Sequence, residues 1–181
     1  MSEFSESYHL RATSRKDAVA LLQSAGLAGF VHPSLDGWVT LVAEGEPFRP
    51  NEDLIAPNVG TLVHWVFGED HGWEFSVYRG PRALCTYSCS WEEEVVVEGK
   101  VSHAELEEHI GMPLPLLAGE AGLKILFPKS IEEVFAVRPA YAFAKALGLT
   151  NYRWLSYDYL ASDHARGRPL PAGVQMVSSA G

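Results

Sequence analysis

The sequence is short of cysteine, of positive charge and of long apolar runs, and each shortage closes off a class of protein. Two cysteines among 181 residues cannot form the dense disulfide framework of a small secreted scaffold. Cys85 and Cys89 fall in an alternating segment that reads as a strand, where four residues span about 13 Å, beyond disulfide reach. Two reduced core thiols are expected, which fits a cytoplasmic location. Lys and Arg number 14 against 23 Asp and Glu, a formal charge of -9. No segment reverses that sign into a basic stripe, so nucleic acid is not an expected partner. No run approaches the length of a membrane span, and Met1 to Ser7 is polar, without the apolar stretch of a signal peptide. Neither a membrane nor an export route is expected.

Catalytic and cofactor motifs are also missing. The chain has no G-x-S-x-G elbow, P-loop, dinucleotide glycine fingerprint, H-E-x-x-H or C-x-x-C pair, so neither activated-nucleophile chemistry nor a cofactor is indicated. No catalytic residue and no metal ligand set is assigned. An enzyme of unfamiliar type stays open as an alternative, because sites assembled from distant residues leave no local motif.

What is present is 47% hydrophobic content, enough for a sizeable core in one domain, expected over residues 8–163. Residues 1–7 and 164–181 are polar, the tail rich in Ser, Gly and Pro, and are expected to be disordered. After a short strand at Tyr8 to Ala12, Ser14 to Asp17 resembles a capping box with Asp in place of Glu. Ala18, Leu21, Leu22 and Ala25 then form a helical stripe that Gly26 stops. Gly29 to His32 and Trp38 to Ala43 read as a hairpin across Pro33-Ser34-Leu35-Asp36-Gly37. Residues 45–60 read as a loop with at most one helical turn near Asn51 to Ile55.

Thr61 to Phe67 is apolar on both strand faces. With Trp73 to Tyr78 and Ala83 to Trp91 it makes a three-stranded meander. Glu74, Ser76, Thr86, Ser88 and Ser90 point away from its aromatic face. Helices are predicted from Ser102 to Ile110, from Ser130, and from Pro139 to Gly148, while residues 114–127 and 152–160 fit more than one assignment. The order predicts an α+β fold: an antiparallel, Trp- and Tyr-rich sheet of about six to eight strands with helices packed on one face. Strand order and oligomeric state are not legible.

Two groups of residues invite a functional reading. Glu69, Asp70 and His71 crowd the turn between two apolar strands, where carboxylates and an imidazole can bind a metal or act as a base, although a hairpin tip also favours polar residues for its own sake. His109 and Glu105 share a helix face, more simply as a surface pair. Trp65, Trp73 and Trp91 lie in the predicted sheet, where large rings either pack the core or line a pocket with Asp70 and His71 at its rim. A second aromatic group, Tyr141, Phe143, Tyr152, Trp154, Tyr157 and Tyr159, either docks the terminal elements or stays exposed as an interface. Acid clusters at Glu92 to Glu94 and at Glu105, Glu107 and Glu108 suit a basic partner. Together these favour a non-catalytic interaction protein, for instance an acidic immunity or antitoxin-type protein. A small-molecule pocket and a metal-dependent enzyme are the alternatives.

Overall fold

The computed structural model describes residues 2–179, so Met1 and residues 180–181 of the two expected disordered ends lie outside the described residues. The fold is α+β around one eight-stranded antiparallel sheet, ordered β7-β6-β5-β4-β1-β3-β2-β8. Its strands are β1 (Phe4–Arg11), β2 (Gly29–Val31), β3 (Trp38–Ala43), β4 (Thr61–Gly68), β5 (Gly72–Arg79), β6 (Arg82–Ser90), β7 (Val96–Glu98) and β8 (Gln175–Val177). The predicted meander is β4-β5-β6. The predicted hairpin is β2-β3, closed at Asp36 (φ 52°) and Gly37 (φ 81°), the left-handed pair that two-residue hairpin turns favour.

Both ends differ from expectation. β1 starts at Phe4 and lies between β3 and β4 in the middle of the sheet, with Glu6 opposite Val66 and Ser7 opposite Trp65. Its polar residues are buried because they bond to one another and to neighbours: Ser5 Oγ donates to Glu3 (3.1 Å), and Ser7 Oγ lies 3.0 Å from His9 Nε2. At the other end Gln175–Val177 extends β2 as the outermost strand, with Val177 opposite Gly29. Backbone pairing holds this segment, so it needs little apolar patterning.

The helices are α1 (Arg15–Ala25), α2 (Glu52–Ile55), α3 (His103–Ile110), α4 (Gly119–Leu123), α5 (Ile131–Val137), α6 (Pro139–Ala146) and α7 (Tyr157–Ala165). Capping chemistry placed most of them. Ser14 caps α1 through Lys16 N–H, without the full box, and Gly26 ends it at φ 71°. Ser102 and Glu105 complete a capping box on α3. Pro139 opens α6 as its first residue. The ambiguous 114–127 stretch is α4 flanked by two 3-10 turns, Pro115–Leu117 and Lys124–Leu126, and residues 152–160 are a loop entering α7.

Helices α3 to α7 collect on one face, as expected, but α1 and α2 cover part of the other. On the first face Val63, Trp65, Phe67, Trp73, Phe75, Val77, Tyr87 and Cys89 pack against Leu106, Ile110, Leu117, Leu126, Val134 and Phe143. On the second, Ala18, Leu21 and Leu22 of α1 and Leu54 and Ile55 of α2 meet Tyr8, Leu10, Val39, Leu41 and Leu62. A sheet with apolar residues on both sides of its central strands must be covered twice. The β5-β6 part of that second face stays polar, with Glu74 and Ser88 half-buried and Thr86 and Ser90 exposed.

Candidate binding cleft

The three sheet tryptophans do not share a pocket. Trp65 and Trp73 are 0% and 2% exposed. Trp65 packs edge-on to Tyr152 at 5.4 Å, while Trp73 lies 4.8 Å from Tyr87 and 5.6 Å from Phe143. Both rings belong to the main core cluster, with their indole N–H groups buried without a protein acceptor, and Trp73 also lines a shallow hollow of about 170 Å³ together with His71. Trp91 is also buried, at 5% exposed, but it lines a cleft, and its indole N–H donates to the Glu69 carbonyl at 3.2 Å.

Asp70 and His71 are exposed at the β4-β5 tip, with His71 Nδ1 2.8 Å from Glu92 Oε1. Glu69 turns back instead, its Oε2 accepting the Glu3 N–H at 2.8 Å. Among the described residues no group of three or more His, Cys, Asp and Glu side chains is placed to hold a metal ion, so the tip supplies no ligand set. On α3 the close pair is His103 with Glu107 at 3.4 Å. The thiols are as inert as a strand position suggests, since burial pushes the Cys85 thiol up to about 11 and raises that of Cys89.

The cleft, of about 260 Å³, lies between the sheet and the α5-α6 junction. Phe67, Glu69, Trp91 and Glu3 form its sheet side; Phe135, Arg138, Tyr141, Arg153 and Trp154 form the other. A wider depression of about 670 Å³ between α1 and residues 57–60 has no aromatic lining. The 260 Å³ cleft has exposed apolar residues at its rim: Phe135 is 57%, Trp154 46% and the neighbouring Val137 42% exposed.

Glu3 organises the site from below. It is 4% exposed, and its carboxylate accepts from Tyr141 Oη (2.7 Å), Trp154 N–H (3.0 Å) and Ser5 Oγ (3.1 Å). Arg153 Nε lies 4.0 Å from it, with the guanidinium 4.7 Å over the Tyr141 ring. Burial, then the bond to Glu3, raises the Tyr141 hydroxyl pKa, so it stays a donor. These contacts fix the loop that presents Trp154.

Two of the rim residues sit in left-handed backbone, Arg138 at φ 52° and Trp154 at φ 50°. Arg138 occupies the position after α5 where glycine is usual, and precedes α6, whose amino end has no side-chain cap. A bulky residue in this region costs about 1 kcal/mol or more and persists where the surroundings or the function require it. Among the described residues Arg138 has no carboxylate within ion-pairing distance, although acids exceed bases by nine.

Of the residues singled out from sequence, the cleft unites Trp91 and Glu69 with Tyr141 and Trp154 of the second aromatic group, and leaves out Trp65, Trp73, Asp70 and His71. Glu3, Phe135, Arg138 and Arg153 carried no local signal. The nearest clue was the density of rings between Tyr141 and Tyr159. Compared with known proteins, the chain matches no family model, and neither a curated protein nor a solved structure is similar to it.

Proposed function

We propose that this is a non-catalytic binding protein that docks another protein at the cleft of Trp91, Phe135, Tyr141 and Trp154. The observation that carries the reading is the pair of exposed rings, Phe135 and Trp154, beside a buried polar anchor, Glu3. Trp, Tyr and Arg around a preorganised pocket are the composition of an interface hot spot. A rim of exposed acids, Asp70 and Glu92 to Glu94, follows directly on Glu69 and Trp91 of the cleft wall. Such a rim favours a partner whose surrounding surface is basic, and would speed its association at low salt. Blocking a basic toxin, as immunity and antitoxin-type proteins do, is one form of this role and rests on size and charge alone.

A small-molecule site in the same cleft is the second reading. About 260 Å³ falls just below the range of pockets that enclose drug-sized ligands, which favours a protein anchor side chain over a whole ligand. The test is affinity capture from lysate of the producing cells, comparing the wild type with Trp154→Ala and Phe135→Ala. A basic protein retained by the wild type, released by salt and lost in both variants is the expected result. Identical retention by all three proteins would refute the docking site.

A further inference from the structure

The cleft is lined by two arginines and two carboxylates beside its aromatic surface, and the acids are engaged within the fold: Glu3 accepts from Tyr141, Trp154 and Ser5, and Glu69 accepts the Glu3 N–H. Arg138 has no carboxylate partner among the described residues. Arg153 is stacked on Tyr141 and only 4.0 Å from a Glu3 carboxylate that already accepts three hydrogen bonds. Both guanidinium groups therefore keep donors free at the mouth of an apolar slot. Trp91 on the sheet side and Phe135 on the side of the arginines stand edge to face at 6.4 Å, and Trp154 adds a third ring to the lining. A carboxylate borne on the same carbon as a bulky apolar side chain meets both surfaces at once, and this is the chemistry of a chain terminus.

Resting on the docking reading above, we propose that the cleft captures the C-terminal residue of the partner, its aromatic or large aliphatic side chain between Trp91 and Trp154 and its α-carboxylate on Arg138 and Arg153. The basic surface preceding that terminus then faces Asp70 and Glu92 to Glu94, so one segment satisfies both charge patterns of the site. Arg138 holds a left-handed backbone position that glycine would fill without strain, which is accounted for if its side chain is needed there.

The experiment uses the full chain and three probes: acetyl-Lys-Gly-Lys-Gly-Phe with a free carboxylate, the same peptide as its C-terminal amide, and N-acetylphenylalanine. Binding is read from the indole N–H resonances of Trp91 and Trp154. The acid peptide is expected to bind about tenfold tighter than the amide, the difference that one charge-assisted contact at a half-exposed site makes. Arg138→Gln should remove most of that preference, read as the ratio of acid to amide affinity in the same variant. Equal binding of acid and amide, or a preference that survives Arg138→Gln, overturns the terminus assignment while leaving the docking site standing. N-acetylphenylalanine binding as tightly as the acid peptide overturns it in favour of a free carboxylate ligand. If no probe shifts either indole at about ten times the millimolar Kd normal for ligands this small, the terminus proposal fails, and the capture experiment with Trp154→Ala separately decides the docking site.

Discussion

Acid should destabilise this protein early, and His9 is the reason. It is fully buried on β1, its ring between Ser7 Oγ (3.0 Å) and Thr40 Oγ1 (3.1 Å). Burial first, then the nearby His32 and His64, lowers its pKa from 6.5 to about 3. Burial alone lowers that of His32 to about 4, and its Nε2 has no protein partner. Both residues are thus neutral when folded and free to protonate when unfolded. The unfolded state binds more protons below 6.5, so stability is complete above that pH and is lost as pH falls toward the folded values. At about pH 5 each histidine is some 1.5 units below its unfolded pKa, which at 1.36 kcal/mol per unit is about 2 kcal/mol each and about 4 together. Against a typical domain stability of about 5–15 kcal/mol, that is a large fraction. Urea unfolding followed by tryptophan emission between about pH 8 and pH 5 measures it. In His9→Gln the amide can still meet Ser7 and Thr40 but does not titrate, so the gap between wild type and variant should shrink by about 2 kcal/mol over that range. Parallel stability curves, or an NMR titration of His9 near 6.5, would refute the reasoning.

Three other perturbations follow from particular contacts. Arg138→Gly removes a left-handed arginine and should raise stability by about 1 kcal/mol in urea while reducing partner capture, the opposite signs expected of a strained binding residue. Glu3→Gln sets an amide N–H₂ among the donors of Tyr141, Trp154 and Ser5; a loss of about 1–3 kcal/mol in urea and a red-shifted Trp154 emission should result. At Gly72 a Cβ would lie 2.6 Å from the Cys89 carbonyl oxygen, so Gly72→Ala should separate β5 from β6 and lower the thermal midpoint by several degrees, about 2 kcal/mol or more.

The meander, the hairpin and most helices were legible because each obeys a local rule. β5 and β6 alternate, Ser102 and Ser130 accept the third N–H of their helices, and Asp36-Gly37 supplies a left-handed turn. Layering was harder to read. The stripe of α1 says that it packs on a sheet and nothing about which side, and only the register of β1 against β3 and β4 decides that it lies opposite α6. β8 shows little more, with one buried residue, Val177, and two exposed ones, because backbone pairing with β2 forms it.

The second half of β1 was read as a strand, and its first half, Phe4 to Ser7, was missed for a more informative reason. A pattern reading assumes that inward residues are apolar, yet Glu3, Ser5, Ser7 and His9 all point to the buried side. They can do so because almost every polar atom finds a partner within the fold: Glu3 with Tyr141 and Trp154, Ser5 with Leu155 N–H, His9 with Thr40. The partners of Glu3 and Ser5 come from residues 138–156, the other stretch in which local rules were broken, by a left-handed arginine and a left-handed tryptophan. The two least legible segments therefore meet one another, and the cleft is where they meet. A polar strand costs hydrophobic burial, and two strained residues cost backbone energy, so neither improves the fold by itself. Their coincidence at one cleft, with Phe135 and Trp154 left exposed beside them, is what a site kept for binding at the expense of stability would produce.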